Sequence, residues 1–201
     1  MRNGLASFGI SYRQANPFNH EPLDGAVSEA DRIAQASNGT AFPEEKATKR
    51  AFLAALDHYQ RIHLAAHGRQ NAIGPAFHAV YLSPEGGDDG RLFAQELFGR
   101  DLRGLELITL SACETALGRF DLADNLSGFP ATLLMLGAES VIGTLWEVED
   151  ACAETFFTTL YKELQRHVGR LTAFARAQRT TRDRYPQHRD WGTFFYMGDW
   201  D

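Results

Sequence analysis

Two hydrophobic rhythms alternate along this chain: short apolar runs bounded by turn residues, and stretches whose apolar positions recur every three or four residues. Residues 5–12 predict a first strand, interrupted at Gly9, and the Pro-, Asn- and His-containing residues 13–24 a loop. Val27, Ala30, Ile33 and Ala34 then predict a helix that Asn38-Gly39 stops. Pro43, Glu44 and Glu45 mark the start of the next, since proline suits a first helical turn and carboxylates its positive end. Phe52, Ala55, Leu56 and Tyr59 give that helix its apolar face. A strand over residues 61–66 runs into His67-Gly68, another covers 76–82, residues 84–90 are a tight polar turn, and 92–97 a short helix. Residues 105–115 begin as a buried strand and end in small polar residues around Cys113. An exposed loop over 116–125 precedes a helix at 126–136, with Pro130 in its early turns and Gly137 past its end. Residues 140–146 are a further buried strand, Ala153 to Val168 a long amphipathic helix, Leu171 the start of another, and 191–197 a closing edge strand.

Strands alternating with helices predict an α/β fold with a parallel or mostly parallel sheet covered on both faces. No repeat, low-complexity segment or linker divides residues 1–201, so one domain is expected. With 201 residues, 44% of them hydrophobic, the chain is long enough to bury a sizeable core without staples. Two cysteines, Cys113 and Cys152, are too few for a disulfide framework and suit a reducing, cytoplasmic setting. There is neither a signal peptide nor an apolar run long enough to span a membrane, so no membrane partner is expected. A net charge of −6 argues against direct nucleic-acid binding. The arginine-rich segment 161–190 reads as the solvated faces of two helices, with a docking patch as its alternative.

In open α/β sheets chemistry lies just beyond the carboxyl ends of the strands, and two such ends carry His67 and Cys113. If their strands are parallel neighbours, both residues reach the same sheet edge. A histidine in reach moves the thiol proton and favours the thiolate nucleophile. Gly68 leaves its N–H approachable, and with the N–H of Cys113 it would form an oxyanion hole. Strict alternation would turn His63 the same way as His67, but four residues inside the strand His63 reads as a hydrogen-bonded core histidine. Cys152, near a helix start whose dipole would lower a thiol pKa, is the rival nucleophile. No Cys-x-x-Cys or His-x-x-x-His ligand pattern includes Cys113 and no phosphate-binding glycine loop occurs, so neither metal nor cofactor is expected.

The strings Ile62-His63-Leu64-Ala65-Ala66-His67-Gly68, Leu110-Ser111-Ala112-Cys113-Glu114-Thr115 and Leu136-Gly137-Ala138-Glu139-Ser140-Val141-Ile142-Gly143-Thr144-Leu145-Trp146-Glu147-Val148-Glu149-Asp150 resemble the CHAT domain. That is a caspase-like peptidase domain often joined to tetratricopeptide repeats, and the likeness runs from Pro22 to Phe194. The last string also looks like the corresponding part of separases. The resemblance implies a caspase-like three-layer α/β/α sandwich, His67 and Cys113 as the catalytic dyad, and a protein substrate cut by a cysteine endopeptidase. A CHAT-type signalling or scaffold domain without turnover is the alternative. Ala66 stands where family members often carry threonine, which leaves the dyad intact. The repeat array of about 34-residue units is missing, so a regulatory partner would act in cis or in trans. The strand at 140–146 should follow the Cys113 strand in the sheet. Its end would then set Trp146, Glu147, Glu149 and Asp150 beside the pocket for the residue before the cut, the alternative being that the three carboxylates merely begin the exposed helix 151–165. The similar stretch of separases serves arginine-directed cleavage, with Asp150 at the matching final acidic position, so cleavage after Arg or Lys is expected.

Overall fold

A computed structural model describes residues 2–14, 16–69, 71, 74–111 and 128–201. Along the chain its strands are β1 (Leu5–Gly9), β2 (Thr40–Pro43), β3 (Arg61–Ala65), β4 (Gly68–Arg69), β5 (Ala79–Tyr81), β6 (Arg91–Phe93), β7 (Leu107–Ser111), β8 (Ser140–Thr144) and β9 (Phe194–Gly198). The helices are α1 (Ala26–Ala36), α2 (Lys49–His58), α3 (Phe129–Met135), α4 (Asp150–Gln165), α5 (Arg170–Arg184) and the short α6 (His188–Trp191). The main sheet has the order β2-β1-β3-β7-β8-β9, every pair parallel except β8 with β9. Its inner strands are near-continuous apolar runs because both faces are covered, as a parallel sheet requires. On one face α1, α4 and α5 pack Ile33, Phe156, Phe157 and Phe174 against Leu5, Leu107 and Ile142. On the other, Phe52 and Leu56 of α2 and Leu133 of α3 meet Ile62, Leu64 and Leu110. A large side chain buried in this way contributes about 1.5–3 kcal/mol. This is the mostly parallel, three-layer α/β arrangement that the alternating pattern predicts.

Helix α1 ends as its sequence directs. Asn38 adopts the left-handed conformation (φ 48°), and the N–H of Gly39 closes on the carbonyl of Ala34 at 2.8 Å. After Pro43 a single 3₁₀ turn forms, Glu44–Lys46, but the α-helix does not begin there. Thr40–Pro43 is instead strand β2, parallel to β1, with the Phe42 ring stacked on Phe8 at 4.6 Å. The Glu44 carboxylate is claimed by Ser11, whose N–H and hydroxyl both donate to it. Helix α2 starts six residues later, where the Thr48 hydroxyl accepts the N–H of Ala51 at 3.2 Å. The strand expected over 76–82 shortens to β5 and enters a second sheet, order β4-β5-β6, both pairs antiparallel. The short helix expected at 92–97 divides into β6 and a 3₁₀ turn, Ala94–Leu97. The loop expected at 116–125 lies outside the described residues. Among those described, no helix is long and apolar enough to cross a membrane.

Candidate active site

Strands β3 and β7 are parallel neighbours paired from Arg61 with Leu107 to Ala65 with Ser111. His67 stands two residues beyond Ala65, at the carboxyl end of the sheet, while Cys113 lies outside the described residues. Three contacts fix His67. Its N–H donates to the Tyr12 hydroxyl at 2.7 Å, and that hydroxyl donates to the Tyr81 carbonyl at 2.5 Å. Its carbonyl accepts the N–H of Tyr81 at 3.0 Å. Its ring Nε2 lies 2.7 Å from the carbonyl of Glu21. A carbonyl only accepts, so Nε2 carries the proton and the neutral ring keeps its lone pair on Nδ1. Burial pushes the Tyr12 hydroxyl above the ordinary phenol range, so it stays a neutral bridge.

His63 and His67 do not face the same way. His63 points into the α4 layer, its ring 5.1 Å from Phe157 and 5.9 Å from Tyr161. His67 packs at 4.7 Å on Tyr12, which belongs to the opposite layer. The regular strand stops at Ala65, and a bend at Ala66 breaks the alternation on which a common direction depends. His63 is the hydrogen-bonded core histidine its position predicts. It is 0% exposed, with Nδ1 2.8 Å from the Thr109 hydroxyl and Nε2 2.9 Å from the Glu29 carboxylate. A buried carboxylate is costly unless paired, and His63 supplies Glu29 with its partner.

Gly68 opens β4, opposite Val80. The backbone bonds of this ladder fall at residues 67 and 81, so the pair Gly68 and Val80 is a non-hydrogen-bonded one. The N–H of Gly68 is therefore directed away from β5.

A narrow cleft opens at the ends of β3, β7 and β8, walled by Ala65, Ala66, Ser111 and Thr144 together with Glu29 and Asp150. Asp150, the first residue of α4, accepts the N–H of Gly25 at 2.8 Å. Any side chain at Gly25 would press on Asp150, since a Cβ there would lie 2.7 Å from the Asp150 Cβ. Among the described residues no Lys or Arg pairs with Asp150, whereas Glu154, one turn along α4, is paired with Arg32. Trp146 turns elsewhere: its indole N–H donates to the Arg189 carbonyl at 2.7 Å and its ring lies 6.5 Å from His188. Glu147 and Glu149 are exposed, and Glu149 caps α4 through its backbone carbonyl. The cleft thus gathers Asp150 and leaves Trp146, Glu147 and Glu149 off its walls.

Cys152 faces the core. It is 1% exposed, its thiol 3.5 Å from the Asp190 carbonyl. Burial, reinforced by Asp190 and Glu149, pushes its pKa up to about 12, opposite to the shift a helix start alone would give. Iodoacetamide at neutral pH is expected to leave Cys152 of the folded protein unlabelled, read by peptide mass mapping. Labelling as fast as in the unfolded chain would contradict this burial.

Three contributors escape the sequence reading: Glu29, Tyr12 and His20, which stacks on His67. A glutamate amid the apolar stripe Ala26, Ala30 and Ile33 was the available signal for the first. The other two sit in or beside a polar stretch with no periodic signal.

Residues 6–199 match the CHAT domain family, and the chain belongs to it. No curated protein matches the chain in sequence. Its fold is that of caspase-like peptidases. Gingipain R (RgpB), described as an Arg-specific cysteine proteinase, superposes with a TM-score of 0.63 at 11% identity, over 97% of this chain and 45% of that one. The complex of pro- and mature domains of Porphyromonas gingivalis RgpB gives 0.61 at 12% identity, over 97% of this chain and 46% of that one. The Saccharomyces cerevisiae separase–securin complex gives 0.61 at 15% identity, covering 98% of this chain and 12% of the other. The chain thus spans less than half the length of these neighbours.

Proposed function

We propose that this chain is a cysteine endopeptidase domain with His67 and Cys113 as its dyad. The observation that carries the reading is the register of β3 and β7. Ala65 is paired with Ser111 at the carboxyl end of the sheet, His67 stands two residues beyond Ala65, and Cys113 is two residues beyond Ser111 in sequence. In this reading Nδ1 of His67 takes the thiol proton of Cys113 and the thiolate attacks the scissile carbonyl. The N–H groups of Gly68 and Cys113 receive the oxyanion. Protonated His67 then gives its proton to the departing amine, and water hydrolyses the thioester. Glu21 holds Nε2–H throughout, so a single nitrogen exchanges the proton in both directions.

The proposed preference is cleavage after Arg or Lys. Asp150 supports it, as an unneutralised carboxylate on the wall of a cleft beside the strand ends. The arginine specificity of gingipain R, a protein of the same fold, agrees with it. Incubation with a peptide library followed by mass spectrometry tests both parts. Cuts after Arg or Lys are expected, cuts after other residues reject the preference, and absence of turnover even with the neighbouring polypeptide supplied rejects the endopeptidase.

Regulation by another polypeptide is part of the proposal. Two of the neighbours were solved as complexes, of RgpB pro- and mature domains and of separase with securin, which supports control by a protein partner; a tetratricopeptide-repeat polypeptide is the partner proposed. Turnover by the isolated chain is expected to be slow and to rise at least tenfold once the neighbouring polypeptide is supplied, in cis or in trans. Equal rates in a side-by-side assay would end that part of the reading.

A further inference from the structure

The turn 16–21 holds His67 twice. Glu21 takes its Nε2–H, and the preceding residue, His20, lays its ring on the His67 face with centroids 4.8 Å apart and planes 29° from parallel. The turn is built to present that ring. The Asn16 side chain accepts the N–H of His20 at 2.8 Å and donates to its carbonyl at 2.7 Å, while Asn19 between them adopts the left-handed conformation (φ 53°). The Tyr81 and Tyr12 rings also pack against the His20 ring, with centroids 4.3 and 5.4 Å away. The Asn16 clamp fixes the His20 backbone, and the surrounding rings of Tyr81, Tyr12 and His67 crowd its imidazole.

We propose that His20 is a positioning residue for His67, its stacked ring holding the imidazole in the orientation where Nε2 binds Glu21 and Nδ1 is left to exchange protons. The proposal rests on His67 being the catalytic base. A free imidazole turns about its χ2 bond and offers either nitrogen. With one edge tied to Glu21 and one face covered by His20, only one nitrogen remains for chemistry. The ring suited to this task is uncharged, because a cation against the His67 face would oppose the imidazolium that forms in turnover. The surroundings keep it so. Nε2 of His20 is buried and has no hydrogen-bond partner among the described residues, so a second proton would leave a buried N–H with no acceptor. Burial, with His67 and Arg69 close by, accordingly holds the His20 pKa below the ordinary histidine value.

Three forms of the full chain decide the matter: wild type, His20→Ala and His20→Phe. In ¹⁵N-histidine-labelled protein, NMR should show His67 protonated at Nε2 in the wild type and a mixture of tautomers in His20→Ala. The phenyl ring of His20→Phe should restore the wild-type form. With a peptide substrate, kcat of His20→Ala should fall about tenfold or more. Its KM should stay within about twofold, and His20→Phe should recover most of the loss. An unchanged tautomer in His20→Ala overturns the proposal, whatever the activity does. A changed tautomer with undiminished kcat supports the positioning role and instead rejects His67 as the base. If the wild type proves inactive, the tautomer alone still decides whether His20 positions His67, so the two failures are told apart.

Discussion

Replacing Cys113 with alanine is expected to reduce peptide cleavage below detection, while Cys152→Ala retains turnover within about twofold of wild type. Cys152 is buried on α4 with its thiol against the α6 backbone and pushed up to a pKa of about 12, so almost none of it is thiolate at neutral pH. It can neither attack a substrate nor be reached by one. Its removal costs packing, about 1 kcal/mol of stability, and should lower the melting temperature by a few degrees without touching catalysis. Cys113 follows in sequence the strand paired with the His67 strand and is the proposed nucleophile. His67→Ala removes the proton carrier and should slow cleavage about 10²- to 10⁴-fold. Assaying the three variants against one peptide, beside thermal melts, separates the roles. An active Cys113→Ala protein with an inactive but folded Cys152→Ala protein would reverse the assignment.

The parts legible in the sequence were those with long apolar runs. β3, β7 and β8 are buried on both faces and announce themselves as continuous hydrophobic stretches. Their parallel pairing, and with it the place of His67 at a strand end, followed from the alternation of strands and helices. What stayed hidden has tertiary causes. Strand β2 holds only Thr40–Pro43, and its identity comes from Phe42 finding Phe8, a contact that no local pattern encodes. Strand β4 has two residues and exists because β5 lies beside it. Pro43, Glu44 and Glu45 carry the residue types of a helix start, yet Glu44 is taken by Ser11, 33 residues away in sequence. The common direction read for His63 and His67 assumed a strand that runs on through Ala66, where a bend intervenes.

The site divides along the same line. His67 and Asp150 end up where strand and helix boundaries put them. Trp146 has the right position in the chain and the wrong direction, because Arg189 offers its indole an acceptor on the α6 side. Glu29 and His20 make their contacts across 34 and 47 residues of chain respectively, so nothing next to them in sequence betrays them.

Asp150→Asn is expected to lose most cleavage after Arg and Lys while Cys113 remains open to alkylation. The Asp150 carboxylate has two tasks within reach, and the substitution is chosen to separate them. One is structural: it accepts the N–H of Gly25 at 2.8 Å and places an acid in the first turn of α4, where the helix dipole favours it by about 0.3–1 kcal/mol. Asparagine keeps an oxygen acceptor for Gly25 and nearly the same shape, so the melting temperature should move by only a few degrees. The other task is recognition. Asp150 shares the cleft wall with Ala65, Ala66, Ser111 and Thr144, and no basic side chain among the described residues neutralises it. A guanidinium or ammonium entering that cleft sheds water and needs the carboxylate in return. Deleting one partner of such a pair costs about 2–5 kcal/mol, equivalent to a loss of roughly 30- to 5,000-fold in kcat/KM. The loss should be confined to cationic substrates, so the ratio of arginine to citrulline at the cleaved position should collapse in Asp150→Asn, and iodoacetamide should label Cys113 at the wild-type rate. Efficient cleavage after aspartate or a small apolar residue, indifferent to the substitution, would assign Asp150 to the helix start alone.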